Sequence, residues 1–256
     1  MSQILFGAGN MQITQLLDAN GNTISNPTPY PLLVMQEGAI EESADIKELY
    51  GQGGRAFAVA RGKIKTTIKV KNARVLANVW NAVYYGQTLT SGIISGYNDT
   101  AGSAIPATPF QVTVTPPNSG THVDTLGVID SNGNPMTRVA SAPATGQYSV
   151  VVGTGVYTFA AADTLKTVYI NYQYTSATAG IGYKQTVRNL NMGSAPTFRA
   201  RLTVAFQGKM IHIDARNCVC NKLSLPFKNE DFAVPELNFT LQDDGAGNVY
   251  DWSTSE

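Results

Sequence analysis

Along much of the chain apolar and polar residues alternate one by one, the period of a strand that buries one face. Ile64, Thr66, Ile68 and Val70 fall on one face and Lys63, Lys65, Lys69 and Lys71 on the other, which predicts a half-buried strand with a cationic outer face. Phe198, Ala200, Leu202, Val204 and Phe206 alternate with Arg199, Arg201, Thr203 and Gln207. After a turn at Gly208, Ile211, Ile213 and Ala215 alternate with His212, Asp214 and Arg216, so the two segments predict an antiparallel hairpin. Leu237, Phe239 and Leu241 repeat the pattern, as do Val168, Ile170, Tyr172 and Tyr174.

One segment departs from it. Leu76, Val79, Trp80 and Val83 fall at i, i+3, i+4 and i+7, with Asn72 placed as an N-cap and Gly86 as a stop. These positions predict one α-helix over about residues 73–85, roughly 20 Å long at 1.5 Å per residue. The expected class is α+β, mostly β. Gly/Ser/Thr-rich stretches at 87–107 and 175–182 bracket a block with its own strand and turn signals. This predicts a discontinuous core of residues 1–106 and 181–256. The β-rich region 107–180 is then either an insertion or a supplier of strands to a common sheet system.

Composition narrows the function classes. Of 256 residues 43% are hydrophobic, which excludes a disordered chain. The 18 basic and 18 acidic side chains cancel, at pI 6.7, which excludes nucleic-acid binding by bulk basicity. Only 14% of residues are charged, where soluble domains carry roughly 25%. Little hydrated surface and no net repulsion favour self-association. The opening Met1-Ser2-Gln3-Ile4-Leu5-Phe6-Gly7 lacks the basic and apolar regions of an export signal, and the apolar run at 75–85 is too short to span a bilayer. The expectation is a protein made in a cytoplasm, with no membrane partner.

Candidate chemistry is sparse. Cys218 and Cys220, one residue apart in an alternating segment, are expected on opposite faces, so neither a disulfide nor a zinc site follows. His122 and His212 lie in no metal-ligand spacing; His212 and Asp214 share a strand face, as ordinary polar neighbours do. Asp18-Ala19-Asn20-Gly21-Asn22 and Asp130-Ser131-Asn132-Gly133-Asn134 lack the sixth-position glycine and twelfth-position glutamate of a calcium loop. Both read better as type I′ turns at Asn-Gly. No phosphate-binding, nucleophile-elbow or dinucleotide motif occurs, so no enzyme, cofactor or metal is expected.

The informative feature is charge segregation. Residues 37–48 carry Glu37, Glu41, Glu42, Asp45 and Glu48 against Lys47, a balance of −4. Residues 55–74 carry Arg55, Arg61, Lys63, Lys65, Lys69, Lys71 and Arg74 with no acid, a balance of +7. Successive strands pairing these charges across a hairpin are one reading. A head-to-tail contact between copies is the second, since such a contact needs two different complementary surfaces. A nucleic-acid surface ranks last, because no aromatic residues interleave the lysines.

The stretch Glu41-Glu42-Ser43-Ala44-Asp45-Ile46-Lys47-Glu48-Leu49-Tyr50-Gly51, followed by Ala56-Phe57-Ala58-Val59-Ala60-Arg61-Gly62 and the lysine strand, resembles the tail tube (major tail) proteins of long-tailed, non-contractile bacteriophages. The central residues Asp124-Thr125-Leu126-Gly127-Val128, Arg138-Val139-Ala140-Ser141-Ala142-Pro143 and Tyr157-Thr158-Phe159-Ala160-Ala161-Ala162-Asp163 are similar to that family as well. So is the closing Leu223-Ser224-Leu225-Pro226-Phe227-Lys228-Asn229-Glu230-Asp231-Phe232. The likeness lies in the order of these pieces, each of which is a weak motif alone.

The resemblance implies a β-sandwich or barrel-like core of two sheets flanked by one helix. It also implies six copies closing into a ring, and rings stacking around a channel for DNA and the tape measure protein, in a virion tail that also holds terminator and tip proteins. A lysine-lined channel would retain DNA, so the lysine face is expected to meet a neighbouring subunit. Glu41, Glu42, Asp45, Glu48, Arg55, Arg61, Lys63, Lys65, Lys69 and Lys71 are the candidate interface residues. Residues 4–30 and 49–61 are expected to be flexible bridges between rings, the second helped by Gly51, Gly53 and Gly54. The alternative is a β-sandwich binding, adhesion or virion decoration module.

Overall fold

The computed structural model describes residues 4–255; Met1, Ser2 and Gln3, considered for an export signal, lie outside the described residues. Strands β1 (Asn10–Leu17), β2 (Pro29–Leu32), β3 (Met35–Tyr50) and β4 (Ala56–Asn72) lead into helix α1 (Ala77–Trp80), which continues as a π-helical turn over Asn81–Tyr85. Next come β5 (Thr90–Ser91), β6 (Ile93–Tyr97), β7 (Ser103–Ala104), β8 (Gln111–Thr113) and β9 (Thr121–Asp130). They are followed by β10 (Thr137–Arg138), β11 (Gln147–Val151), β12 (Val156–Phe159), β13 (Thr167–Ser176) and β14 (Tyr183–Lys184). The chain closes with β15 (Thr197–Phe206), β16 (Lys209–Ser224), β17 (Glu236–Leu241) and β18 (Tyr250–Thr254). The protein is mostly β, with several sheets and one short helix.

Two compact units divide the chain, Met1–Thr88 with Val187–Glu256, and Leu89–Thr186. The second starts before residue 107 because Ile93 to Tyr97 is already paired along β13 from Ser176 to Tyr172, and ends after 180 because Tyr183 and Lys184 pair with Ser91 and Thr90.

In the first unit one sheet runs β2-β1-β15-β16-β17-β4-β3, with every neighbouring pair antiparallel. β16 is long enough to carry β15 on one edge and two partners on the other. These are β18 along Ile211 to Ala215 and β17 along Cys218 to Ser224. The alternation is realised: Phe198, Ala200, Leu202, Ile213, Ala215, Leu237, Phe239 and Leu241 are buried in one cluster with Val79 and Val83. Phe198 and Phe239 meet edge to face at 4.9 Å. The hairpin turn falls at Gln207 and Gly208, both at positive φ. Cys218 and Cys220 are both buried in this same cluster rather than on opposite faces, because residues two apart on a strand share a face. Burial pushes both thiols up to about 12, so neither is a nucleophile at neutral pH.

The helix is much shorter than residues 73–85. Asn72 is the last residue of β4, not an N-cap: its N–H donates to the Pro235 carbonyl and the Ala73 N–H to that of Val34. With these groups committed to the sheet, winding starts only after Leu76. The stop is where expected, at Gly86 with φ 59°. The Asn-Gly turns are not type I′, because only their glycines have positive φ. Asp18 and Asp130 instead brace each loop with one carboxylate oxygen, which accepts the N–H groups two and four residues on. Asp244 repeats the arrangement toward Ala246 and Asn248.

In the second unit, the sheet β10-β11-β12-β8 and the sheet formed by β6, β7 and β9 on β13 share one core. Tyr148, Tyr157 and Phe159 come from the former, and Val128, Val168, Ile170, Tyr172 and Tyr174 from the latter. β14 pairs with β5 in a two-stranded ladder.

Candidate subunit interface

The acidic and basic runs form one hairpin, β3 with β4, paired from Met35 opposite Asn72 to Tyr50 opposite Ala56 with three shifts of register. β17 supports β4 only from Lys71 to Thr67. Beyond that rung β3 and β4 continue alone as a two-stranded arm; eleven residues from Thr67 to Ala56, at 3.3 Å each, give a reach of roughly 35 Å. Both faces of the arm meet solvent, with Phe57 83% exposed and Ile46, Leu49, Tyr50, Val59 and Ile64 each more than half exposed. A lone two-stranded hairpin is marginal in water. Only residues 51–55 form its turn, so most of 49–61 is strand and not loop. Residues 4–30 likewise include β1 and the start of β2.

The ten candidate residues divide along this hairpin. At its base, Lys71 Nζ donates to Glu37 at 2.5 Å, and Lys69 Nζ to both oxygens of Glu41 at 2.9 Å. The Glu37 hydrogen bond and charge raise the Lys71 pKa. All four side chains are about half exposed, so solvent screens both pairs. At the root of the arm Glu42 accepts from Thr66 at 3.2 Å and from Tyr250 at 3.1 Å. Toward the tip the Tyr50 hydroxyl donates to Glu48, which raises the pKa of that phenol. Asp45, Arg55, Arg61, Lys63 and Lys65 are exposed and form no ion pair with any described residue. Cross-strand pairing thus accounts for the charges at the base and leaves those of the arm unmatched.

A second charged set lies on the outward face of β15, β16 and β18, where the alternation already placed Arg199, Arg201, Asp214 and Arg216. Arg199 Nε donates to Asp214 at 2.7 Å, and Arg201 Nε approaches the same carboxylate at 3.5 Å. Burial pushes the Asp214 carboxyl up, but the Arg199 hydrogen bond and both guanidiniums together hold it below the usual range. Arg216 pairs with Asp251 at 2.7 Å and Asp244 at 3.7 Å. Three cations and three acids make a neutral, internally matched row. The signal for it was the position of these residues in the hairpin pattern.

No family model matches this chain, and no curated protein is detectably similar to it.

The remaining polar groups are arranged structurally. Among the described residues no three His, Cys, Asp or Glu side chains are grouped to hold a metal ion, and no helix is long and apolar enough to cross a membrane. His212 Nδ1 bonds Thr203 Oγ1 at 2.9 Å, across the strand pair and not to Asp214. In the second unit His122 is buried, with Nε2 3.1 Å from the Tyr157 hydroxyl. A cleft of about 220 Å³ there is lined by Tyr97, Asp99, Val112, Thr115, Ile170 and Tyr172. Its one carboxylate, Asp99, is occupied by the N–H groups of Ala101, Gly102 and Ile170. It braces a loop and offers no free base to the cleft.

Proposed function

We propose that the protein is a structural subunit of a phage tail tube, self-assembling into rings, six copies each, that stack into a hollow tube for DNA. The observation that carries this reading is the two-stranded arm of β3 and β4. It leaves the supported sheet with apolar residues exposed on both faces and Asp45, Arg55, Arg61, Lys63 and Lys65 without ion-pair partners among the described residues. An arm of this kind gains most by being covered, and mixed apolar and cationic residues fit a second protein surface better than a lipid or a small ligand. Low charge content and the order of the sequence pieces that resemble tail tube proteins support the same reading. On it the sheet of the first unit belongs to the two-sheet, barrel-like core of a ring, flanked by the short helix, and the second unit is an inserted β-rich region. The tape measure, terminator and tip proteins of the virion tail would be its partners, and catalysis has no place in it.

Negative-stain electron microscopy across a concentration series, at low and high salt, tests the reading. Hollow rings or tubes of uniform width are expected, dispersing at high salt if charge matching orders the contact. Monodisperse small particles under every condition, also with a preformed tube end as seed, would defeat it in favour of a binding or decoration module.

A further inference from the structure

The two ends of the first unit's sheet differ, and the register says which residues lie at each. β4 runs alongside β17 with Lys71 opposite Glu236 and Thr67 opposite Thr240. The arm therefore leaves the end reached after Thr240, while the loop of residues 225–235 between β16 and β17 lies at the other end, next to Asn72, whose N–H bonds Pro235. That loop presents Phe227 at 82% and Phe232 at 89% exposure, and beside the same end Leu33, Val34 and Val75 are also exposed. Within the loop Lys228 approaches Asp231 at 3.5 Å, and Glu230 has no ion-pair partner among the described residues.

The arm and this loop are complementary in kind. Residues 43–65 carry Lys47, Arg55, Arg61, Lys63 and Lys65 against Asp45 and Glu48, a balance of +3. Residues 225–235 carry Glu230 and Asp231 against Lys228, a balance of −1. Each has large apolar side chains at high exposure that no described residue covers. They sit at opposite ends of one sheet, so they cannot meet within a subunit without dismantling it, and a second copy displaced along the strand direction brings them together. Such a contact uses two different surfaces and does not close on itself, the requirement for an open-ended stack.

We infer that the receiving surface for the arm is the 225–235 loop of the next copy, with Phe57 and its neighbours against Phe227 and Phe232 and the arm cations facing Glu230. The inference rests on the tube reading and adds the partner surface to it. The test is a chain carrying both Phe57→Cys and Phe232→Cys, oxidised in the assembled state, with the single variants as controls; native Cys218 and Cys220 are buried and silent. A ladder of disulfide-linked oligomers, with a 57-to-232 peptide identified by mass spectrometry, is expected from the double variant and not from either single one. A charge swap provides a second readout. Glu230→Lys is expected to raise the concentration needed for assembly about tenfold, and adding Lys63→Glu in the same chain to bring it back. Assemblies that form normally, give no ladder and ignore Glu230→Lys would overturn the inference and leave the tube reading standing. Wild-type protein that forms no assembly even on a preformed tube end would overturn both.

Discussion

Replacing Phe57 by alanine separates the proposed role of the arm in assembly from any role in folding. The ring is 83% exposed in the subunit, so the dispersed chain is expected to lose no more than about 0.5 kcal/mol of stability. Phe239 is the internal standard: fully buried and edge-on to Phe198, it is expected to cost about 3–5 kcal/mol on truncation. Covering an exposed phenylalanine contributes about 1.5–3 kcal/mol. Taking about 2 kcal/mol for a ring already partly shielded, Phe57→Ala is expected to weaken the proposed contact between copies roughly 30-fold at 1.4 kcal/mol per decade. Urea unfolding in dilute solution and sedimentation across a concentration series read the two quantities separately. The expected result is an unchanged unfolding midpoint with a critical concentration raised roughly 30-fold. A midpoint lowered as far as in Phe239→Ala, or an unchanged critical concentration, would refute the assignment of this side chain to a contact between copies.

Three further outcomes follow from the structure. Burial lowers the His122 pKa below its ordinary 6.5, with Asp124 opposing and Arg138 adding to the shift. The unfolded chain therefore takes up a proton the folded one refuses, so stability is full above about pH 6.5 and falls as the pH drops below it. His122→Gln is expected to flatten that limb in tyrosine near-ultraviolet circular dichroism. Gly86→Ala forces φ 59° on a side chain whose Cβ would sit 2.7 Å from the Ala19 nitrogen and 2.9 Å from Pro196 Cβ. A loss of about 2 kcal/mol or more is expected in thermal unfolding, and a loss under about 0.5 kcal/mol would contradict the left-handed cap. Asp214→Ala removes the partner of Arg199 and Arg201, for about 1 kcal/mol after allowing for guanidiniums one third exposed. Because the folded carboxyl titrates below 3.8, the difference from wild type is expected at neutral pH and should vanish as the pH falls through the folded value.

Alternation made the hairpin at Phe198 to Ala215, the Leu237 to Leu241 strand and the Val168 to Tyr174 strand legible, because burial of one face writes itself into every second residue. It says nothing about whether another layer exists to do the burying. Ile64 continues the face of Ile68 and Val70, yet it is 55% exposed because β17 ends before reaching it. The helical spacing of Leu76 to Val83 was genuine, but the start of the helix was fixed by hydrogen bonds from Asn72 and Ala73 to Pro235 and Val34, which local sequence cannot reveal. Glycines at 51, 53 and 54 drew attention to a loop, but the strands run up to Tyr50 and from Ala56, where the continuous apolar run Ala56-Phe57-Ala58-Val59-Ala60 carries no alternation to announce them. The Asn-Gly pairs pointed to the wrong turn because the deciding residue is the aspartate three before the glycine, whose carboxylate gathers two N–H groups. That signal would also have found the loop at Asp244, where no Asn-Gly occurs. The charge runs marked the hairpin correctly, and only register distinguished Glu37 and Glu41, matched at its base, from the unmatched cations of the arm.

The hairpin's pairing also has irregularities, and they bear on how such a chain survives being made in quantity. An arm about ten residues long exposes two rows of unused peptide groups, the template on which stray chains nucleate fibres. The β4 row is broken where Ala44 and Ile46 face Ile64 and Arg61, and again where Leu49 and Tyr50 face Ala58 and Ala56. No uninterrupted stretch of it between Thr66 and Ala56 exceeds four residues. The β3 row skips only Asp45 between Glu37 and Tyr50 and is studded with Glu37, Glu41, Glu42, Asp45 and Glu48, so two copies meeting edge to edge bring carboxylates against carboxylates. One edge is guarded mainly by geometry and the other mainly by charge, so on the proposed tube reading the faces and tip of the arm are what is left for a second copy to engage without seeding an aggregate.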